Sequence, residues 1–433
     1  MNTQISRILP LIWVSCMFIV ACKGPLSAQT NGIPKTHHNI INTENGLVIK
    51  QGEERLAELT DGPDITLKAM YGNIKGTRTG LKFDFGSETF SGRLYFGFIP
   101  YGDSRHPHPV WFKRFAKIEG GKAEVDIANQ LKGRYDMIKW AEKGFGTLGY
   151  RVMTTDGSIL YDGKVHFTGK GPFEAAPTLI EGPFVNLLAA ESVTISFTTN
   201  EKTKAEVKVG EQTMTAEKKE DMHEFAFTGL TPDTEYSYTV KVGSDEQSYS
   251  FKTAPAPGTG KAFTFAYASD SRSGQGGGER DIYGANAYIM KKIMALAMQE
   301  DIRFFQFSGD LINGYLTSPA EINLQYANWK RAIEPFAHYF PVYVSQGNHE
   351  ALSRAFLSED RKKYVTVDRW PYETESAEAI FADNFVLPTN GPESEDGAAY
   401  DPRPKKPDFP SYKENVYHYR YDNVAVVVMN SDY

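Results

Sequence analysis

Cysteine is nearly absent. Of 433 residues only Cys16 and Cys22 are cysteine, both within the first 22 positions. The rest of the chain has no disulfide, so a disulfide scaffold is excluded and burial of apolar side chains must stabilise it. An excess of basic charge is missing too. Lys and Arg number 47 against 54 Asp and Glu, a formal net charge of −7, so no global positive field draws nucleic acid to this surface. No apolar run reaches the roughly 20 residues of a stable bilayer-spanning helix, and no internal repeat is present. What remains is ordinary globular usage, 41% hydrophobic and 13% aromatic with 38 Gly and 23 Pro, which leans towards β structure and loops. At roughly 100–200 residues per domain this length holds two to four domains.

The N-terminus reads as an export signal. Arg7 precedes an apolar stretch over residues 8–21, which is too short to span and is followed by Lys23-Gly24-Pro25. Ile19-Val20-Ala21-Cys22 resembles the lipobox of bacterial lipoproteins. That resemblance implies diacylation of Cys22 and an exported protein held in a membrane by a lipid anchor, in the periplasm or on the cell surface. The other reading is a plain signal peptide cut after Ala28, giving a soluble secreted or periplasmic protein. Residues 1–22 are thus assigned to the signal and 23–45 to a flexible segment in which His37-His38 is solvated.

Two β modules come next. Over 46–173, Leu81, Phe83 and Phe85 alternate with Lys82 and Asp84, residues 93–99 are aromatic-rich, and Asp156-Gly157 joins two runs as a hairpin turn. Residues 127–142 are the one helical candidate there. A β-sandwich-like module of no nameable type is expected. Over 175–257, Val193, Ile195 and Phe197 alternate with Thr194 and Ser196, and the stretch 229–242 resembles the tyrosine corner of fibronectin type III domains. In that resemblance the Tyr236 hydroxyl satisfies backbone. Residues 254–260, with two Pro and two Gly, read as a linker.

After Lys261 the period changes to strand, helix, strand, helix, strand, with strands over 262–268, 303–307 and 341–345. Ile289, Ile293, Leu296 and Ala297 share one helix face, and residues 321–338 form the second helix. This is an α/β pattern with parallel strands, whose ligands gather at the carboxyl ends. Those ends carry Ser269-Asp270-Ser271-Arg272, Gly309-Asp310-Leu311-Ile312-Asn313 and Gly347-Asn348-His349-Glu350. Asp and Asn oxygens suit hard divalent ions, and one carboxylate can bridge two. As an alternative, Asp and Asn are also common loop caps.

These blocks resemble the metallophosphoesterase, or calcineurin-like phosphoesterase, superfamily, and with the fibronectin-like module before them they are similar to purple acid phosphatases. The resemblance covers 261–433 and, more loosely, 175–257. It implies a four-layer αββα sandwich when complete and two divalent or Fe-type ions, such as Fe, Mn or Zn. By the same resemblance Asp270 binds the first ion, Asp310 bridges both, Asn348 binds the second, and His349 lies beside a phosphate-ester substrate.

Two positions depart from the superfamily pattern. Arg272 stands where a metal-binding His is usual, and Asn313 where purple acid phosphatases have Tyr. Guanidinium cannot ligate a metal. Arg272 and Asn313 become candidate substrate contacts, Arg272 through bidentate phosphate binding, with a plain salt bridge as its alternative. The further His blocks that the superfamily supplies do not occur before Tyr433, so the α/β domain reads as incomplete. The expected function is metal-dependent hydrolysis of phosphate esters. A noncatalytic binding or adhesive lipoprotein that keeps the fold is the alternative. The segment 103–108, Asp-Ser-Arg-His-Pro-His, reads as a surface loop, Gly276-Gly277-Gly278 as a flexible one, and the Pro-rich run 401–410 as a rim loop.

Overall fold

Strands with one apolar face need a second layer, and the first β module supplies it from its own sequence. The computed structural model describes residues 32–34, 37–60, 65–102, 104–394 and 409–430. Cys16, Cys22 and the lipobox lie outside them, as do residues 401–408. Strands Ile74–Gly76, Gly80–Asp84 and Lys122–Asp126 form one antiparallel sheet. A second holds, in order, Phe173–Ala176, Ile159–Gly169, Phe145–Thr154, Gly92–Phe98 and Val110–Ile118. Leu81, Phe83 and Val125 of the first sheet share a core with Leu94, Phe96, Leu148 and Val165 of the second, so the module is β-sandwich-like.

The helix expected over 127–142 is broken into three short turns, Ile127–Gln130, Gly133–Tyr135 and Trp140–Lys143. Gly133 sits at φ +60°, and the Asp136 carboxylate takes the N–H groups of Trp140 and Ala141 at 2.8 and 3.1 Å, competing with helical bonding.

Residues 40–58 also depart from the sequence reading. Strands Ile40–Thr43, Gly46–Gln51 and Glu54–Glu58 form a meander that joins Ser353–Ser358 and Tyr364–Asp368 in one five-stranded sheet. Leu56 and Phe356 are fully buried in a small core with Ile40, Ile49 and Trp370. His37, read as solvated, packs its ring 5.2 Å from that of Trp370. Local alternation identifies a strand but carries no record of a partner 300 residues away.

The second module has three strands, Leu179–Asn186, Ser192–Thr203 and Glu220–Thr228, facing a four-stranded sheet of Glu206–Val209, Gln212–Thr215, Glu235–Val242 and Asp245–Lys252. The Tyr236 hydroxyl accepts the Thr231 N–H at 2.9 Å, as the corner requires.

The α/β unit centres on three parallel strands, Ala266–Ala268, Phe305–Phe307 and Val342–Val344, with Phe305–Phe307 in the middle. Ala268, Phe307 and Val344 lie in register, so the polar residues after each strand emerge at one edge. Helix Ala287–Gln299 buries Ala287, Met290, Met294 and Ala297, while Ile289 and Leu296 are 37% and 58% exposed. Ala297 is buried and Ile293 packs half-buried against the core as the period implies, but the face is rotated so that Met290 and Met294 take the places expected of Ile289 and Leu296.

Helix Pro319–Ala337 is buried nearly all round because it enters two cores and lies against the second module as well. Leu324 and Ala327 enter the core of the first module, Trp329 and Ile333 that of the parallel sheet, and the Glu334 carboxylate accepts the Gly182 N–H of the second module at 3.1 Å. Its charges are paired: Lys330 with Glu181 and Arg331 with Glu334, each at 2.6 Å, and Lys164 with Glu334 at 2.7 Å. The described chain is thus mostly β structure in several sheets, with few helices. Among the described residues no helix is long and apolar enough to cross a membrane.

Candidate metal centre and active site

The strand ends are drawn together by backbone contact. The Asp270 N–H donates to the Gly309 carbonyl at 3.2 Å and the Ser271 N–H to the Asp310 carbonyl at 2.9 Å, tying the first loop to the second. Asp270 and Asp310 both occupy left-handed backbone, at φ +60° and +55°. Such conformations cost a non-glycine residue about 1–2 kcal/mol and cluster at functional sites. Gly347 lies so close to Asp310 that a Cβ would fall 2.5 Å from its Oδ1, so only glycine fits there. Gly314, at φ +54°, leaves no room either: a Cβ would fall 1.2 Å from the His349 carbonyl oxygen.

Glu350 clamps the second and third loops. Fully buried, its carboxylate accepts the N–H groups of Asp310, Leu311 and Gly347 at 3.0, 2.8 and 2.7 Å, with that of Ile312 at 3.3 Å. Burial pushes its carboxyl up to about 7 against the opposing pull of these donors. From behind, the Trp329 indole N–H donates to Ser271 Oγ at 2.7 Å, and that hydroxyl donates to the Leu311 carbonyl at 3.2 Å. The helix shared by two cores therefore also holds the loops of the site.

On this frame the Asp310 carboxylate is central. Its Oδ2 lies 3.9 Å from His349 Nε2 and 4.0 Å from Arg272 Nε, and its Oδ1 accepts the His349 N–H at 3.2 Å. His349 Nδ1 donates to the Asn313 carbonyl at 2.7 Å, which fixes the ring with Nε2 facing the carboxylate. The Asn348 amide donates through Nδ2 to the Tyr315 hydroxyl, leaving Oδ1 as its outward acceptor. Asp270 accepts from Ser269 Oγ and is exposed. Asn313 is engaged in the frame: its Oδ1 accepts the Ser273 N–H at 3.1 Å and its own N–H donates to the Gly284 carbonyl at 2.9 Å.

Asp310, Arg272, His349 and Asn348 are thus brought to one edge, with Asp270 on the adjoining loop. Two residues of the site escaped the sequence reading. Tyr315, at φ +49°, packs its ring edge-on to His349 with 4.6 Å between centroids, and it lies beyond the Gly309–Asn313 block that drew attention. Glu350 ended a recognised block, but nothing in its neighbours announced four backbone donors. The loop 104–108 is no simple surface loop: His106 Nδ1 donates to the Pro335 carbonyl at 3.0 Å, and burial lowers His108 to about 4.

The oxygens of Asp270, Asp310 and Asn348 fit a divalent ion in kind. In number they fall short of two complete shells. Among the described residues no three His, Cys, Asp or Glu side chains gather as a metal-holding group.

No protein-family model and no curated protein matches the sequence. Among solved structures the chain is similar to PhoD at 16% identity and a TM-score of 0.39, over 60% of this chain and 54% of that one. It is similar to the central fibronectin-III array of RIM-binding protein at 15% identity and a TM-score of 0.22, over 47% and 68%. It is also similar to the FN1-FN3 domains of chicken CNTN1 at 12% identity and a TM-score of 0.14, over 46% and 70%. The chain spans about half the length of the PhoD structure. At scores this low the likenesses do not bear on what this chain does.

Proposed function

We propose that the strand ends form part of a phosphate-ester hydrolase centre of the metallophosphoesterase type. One observation supports it above others: a carboxylate on strained backbone, Asp310, lies within 4.0 Å of both a guanidinium and an imidazole nitrogen at the carboxyl edge of a parallel sheet. In this reading Asp270, Asp310 and Asn348 would hold divalent or Fe-type ions. Such ions supply Lewis acidity at a phosphoryl oxygen. The chain's own groups do the rest. Arg272, half exposed, grips the phosphate through paired N–H donors, and Asn313 Nδ2 offers a third. His349, its Nδ1–H committed to the Asn313 carbonyl, turns Nε2 into the site as the ring atom through which a proton passes to the departing alcohol oxygen. Export through the N-terminal signal and acylation of Cys22 place this chemistry on a membrane surface.

The Arg272–Asp310 approach also favours a second reading, in which the guanidinium neutralises the bridging carboxylate and the fold binds ligands without turnover. One experiment separates them. Full-length protein is supplied with Mn, Zn or Fe and assayed on p-nitrophenyl phosphate and bis(p-nitrophenyl) phosphate, with metal content measured. The hydrolase reading expects Asp310→Asn to lose about 100-fold or more in kcat/KM and to lose metal, with Asn348→Ala losing less. Turnover that survives both substitutions and a chelator would sink it.

A further inference from the structure

The first β module reaches the candidate centre. Its hairpin turn at 154–158, the loop carrying Gly277, Gly278 and Asp281, and Asn313 and Gln325 line one open cavity of about 650 Å³. That volume lies within the roughly 300–1,000 Å³ of small-molecule sites. Asn313 belongs to both places: it lines the cavity, and its carbonyl holds His349.

The hairpin and the loop are fixed to each other. Ile159 bridges to Ile282, and the Asn328 amide, buried on the shared helix, donates to the carbonyls of Leu160 and Ile282 at 2.9 and 3.2 Å. Arg151 of the first module pairs with Glu279 of the loop at 2.7 Å. A cavity between elements tied in this way is formed before any ligand arrives.

Its chemistry is selective. The lining includes no Lys or Arg; the Thr154 and Ser158 hydroxyls donate to Asp156, and Asp281 accepts from Ser273 and the Gly284 N–H, so the carboxylate oxygens, with lone pairs to spare, are its acceptors. Gly277 and Gly278 let a ligand approach the backbone closely. A second anionic group would find no cation there. Hydroxyl groups would find acceptors on two sides.

We infer that this cavity is a subsite for a polyhydroxylated leaving group without negative charge, so that the first β module sets the specificity of the centre. The inference rests on the hydrolase reading above. In the reaction a water oxygen replaces the alcohol oxygen on phosphorus, the P–O bond to the alcohol breaks, and the alcohol leaves with a proton.

The test uses the full-length protein, glucose 1-phosphate, phosphocholine and p-nitrophenyl phosphate. The inference expects glucose 1-phosphate to be preferred over phosphocholine. It also expects Ser158→Trp, which fills the cavity from an exposed turn, to lower the ratio of kcat/KM for glucose 1-phosphate over p-nitrophenyl phosphate at least tenfold. Asp156→Ala should lower the same ratio severalfold and gives the answer if the Trp variant does not fold. Calorimetry with free glucose distinguishes the two levels. Saturable binding to the wild type that Ser158→Trp or Asp156→Ala weakens supports the subsite even if no ester is hydrolysed, in which case the hydrolase reading alone fails. An unchanged ratio, a preference for phosphocholine, or the absence of both glucose binding and a ratio effect would overturn the subsite.

Discussion

His349 and Asn313 are joined side chain to backbone, imidazole Nδ1 donating to the carbonyl at 2.7 Å, so the ring has one nitrogen for structure and one for chemistry. Asparagine can reproduce the first nitrogen and not the second. His349→Asn should therefore keep the unfolding midpoint of the wild type while kcat falls by about 10²–10⁴. Steady-state kinetics and thermal melts on the same samples check this. A variant that melts early and loses activity in proportion would mean a structural histidine.

Gly314 is the tightest contact in the site, with its would-be Cβ 1.2 Å from a backbone oxygen at φ +54°. Neither the oxygen nor the loop can yield cheaply. Gly314→Ala should cost at least about 3 kcal/mol in urea unfolding, above the usual range for overpacking. A loss under 1 kcal/mol would show that the loop of His349 is softer than drawn.

Arg151 and Asp162 pair at 2.6 Å with each side chain only 11% exposed, and Arg151 also reaches Glu279. Burial alone would raise the Glu279 carboxyl, yet Lys291 and Arg151 hold it below its ordinary value. Arg151→Met strands the Asp162 carboxylate, while Glu279 keeps Lys291 at 3.0 Å, and should cost about 3–5 kcal/mol. Adding Asp162→Leu should recover part of that. No recovery in the double variant would mean that the pair is not coupled.

His338 sits between the second module and the shared helix, its Nδ1 donating to the Pro183 carbonyl at 2.6 Å and its ring stacked 3.9 Å from that of Tyr249. Burial lowers it from 6.5 to about 4, with Glu334 pulling upward and Lys164 and His106 downward. The folded chain thus binds fewer protons than the unfolded one between those values. The stability this group contributes is present above pH 6.5 and is lost as pH falls towards 4, by roughly 3 kcal/mol. Urea midpoints at pH 7.5 and 4.5 should differ less in His338→Gln than in the wild type. Equal slopes would place the pH dependence elsewhere.

The candidate site was more legible than the frame around it. Asp270, Asp310, Asn348 and His349 could be singled out because each ends an apolar strand, and strand ends are local. Tyr315 could not, since its role depends on a turn that returns it to His349. The helix over 287–299 was visible by its period, but its buried face was only partly so, because Ile289 and Leu296 outrank Met290 and Met294 in hydrophobicity. The tyrosine corner was readable to the atom because both of its partners lie within five residues. Strand pairing across 300 residues leaves no such trace.

The sheet that unites residues 40–58 with 353–368 sets an order of events. A chain that emerges amino end first presents Leu56 long before Phe356 exists to cover it, so these early strands must wait through both β modules and most of the α/β unit. That closure comes late in assembly and has high sequence separation, which makes it slow. A fragment beginning at the linker would leave Ser353–Ser358 with an open edge. The amino-terminal meander therefore covers a sheet edge of the α/β unit that no nearer part of the described chain covers.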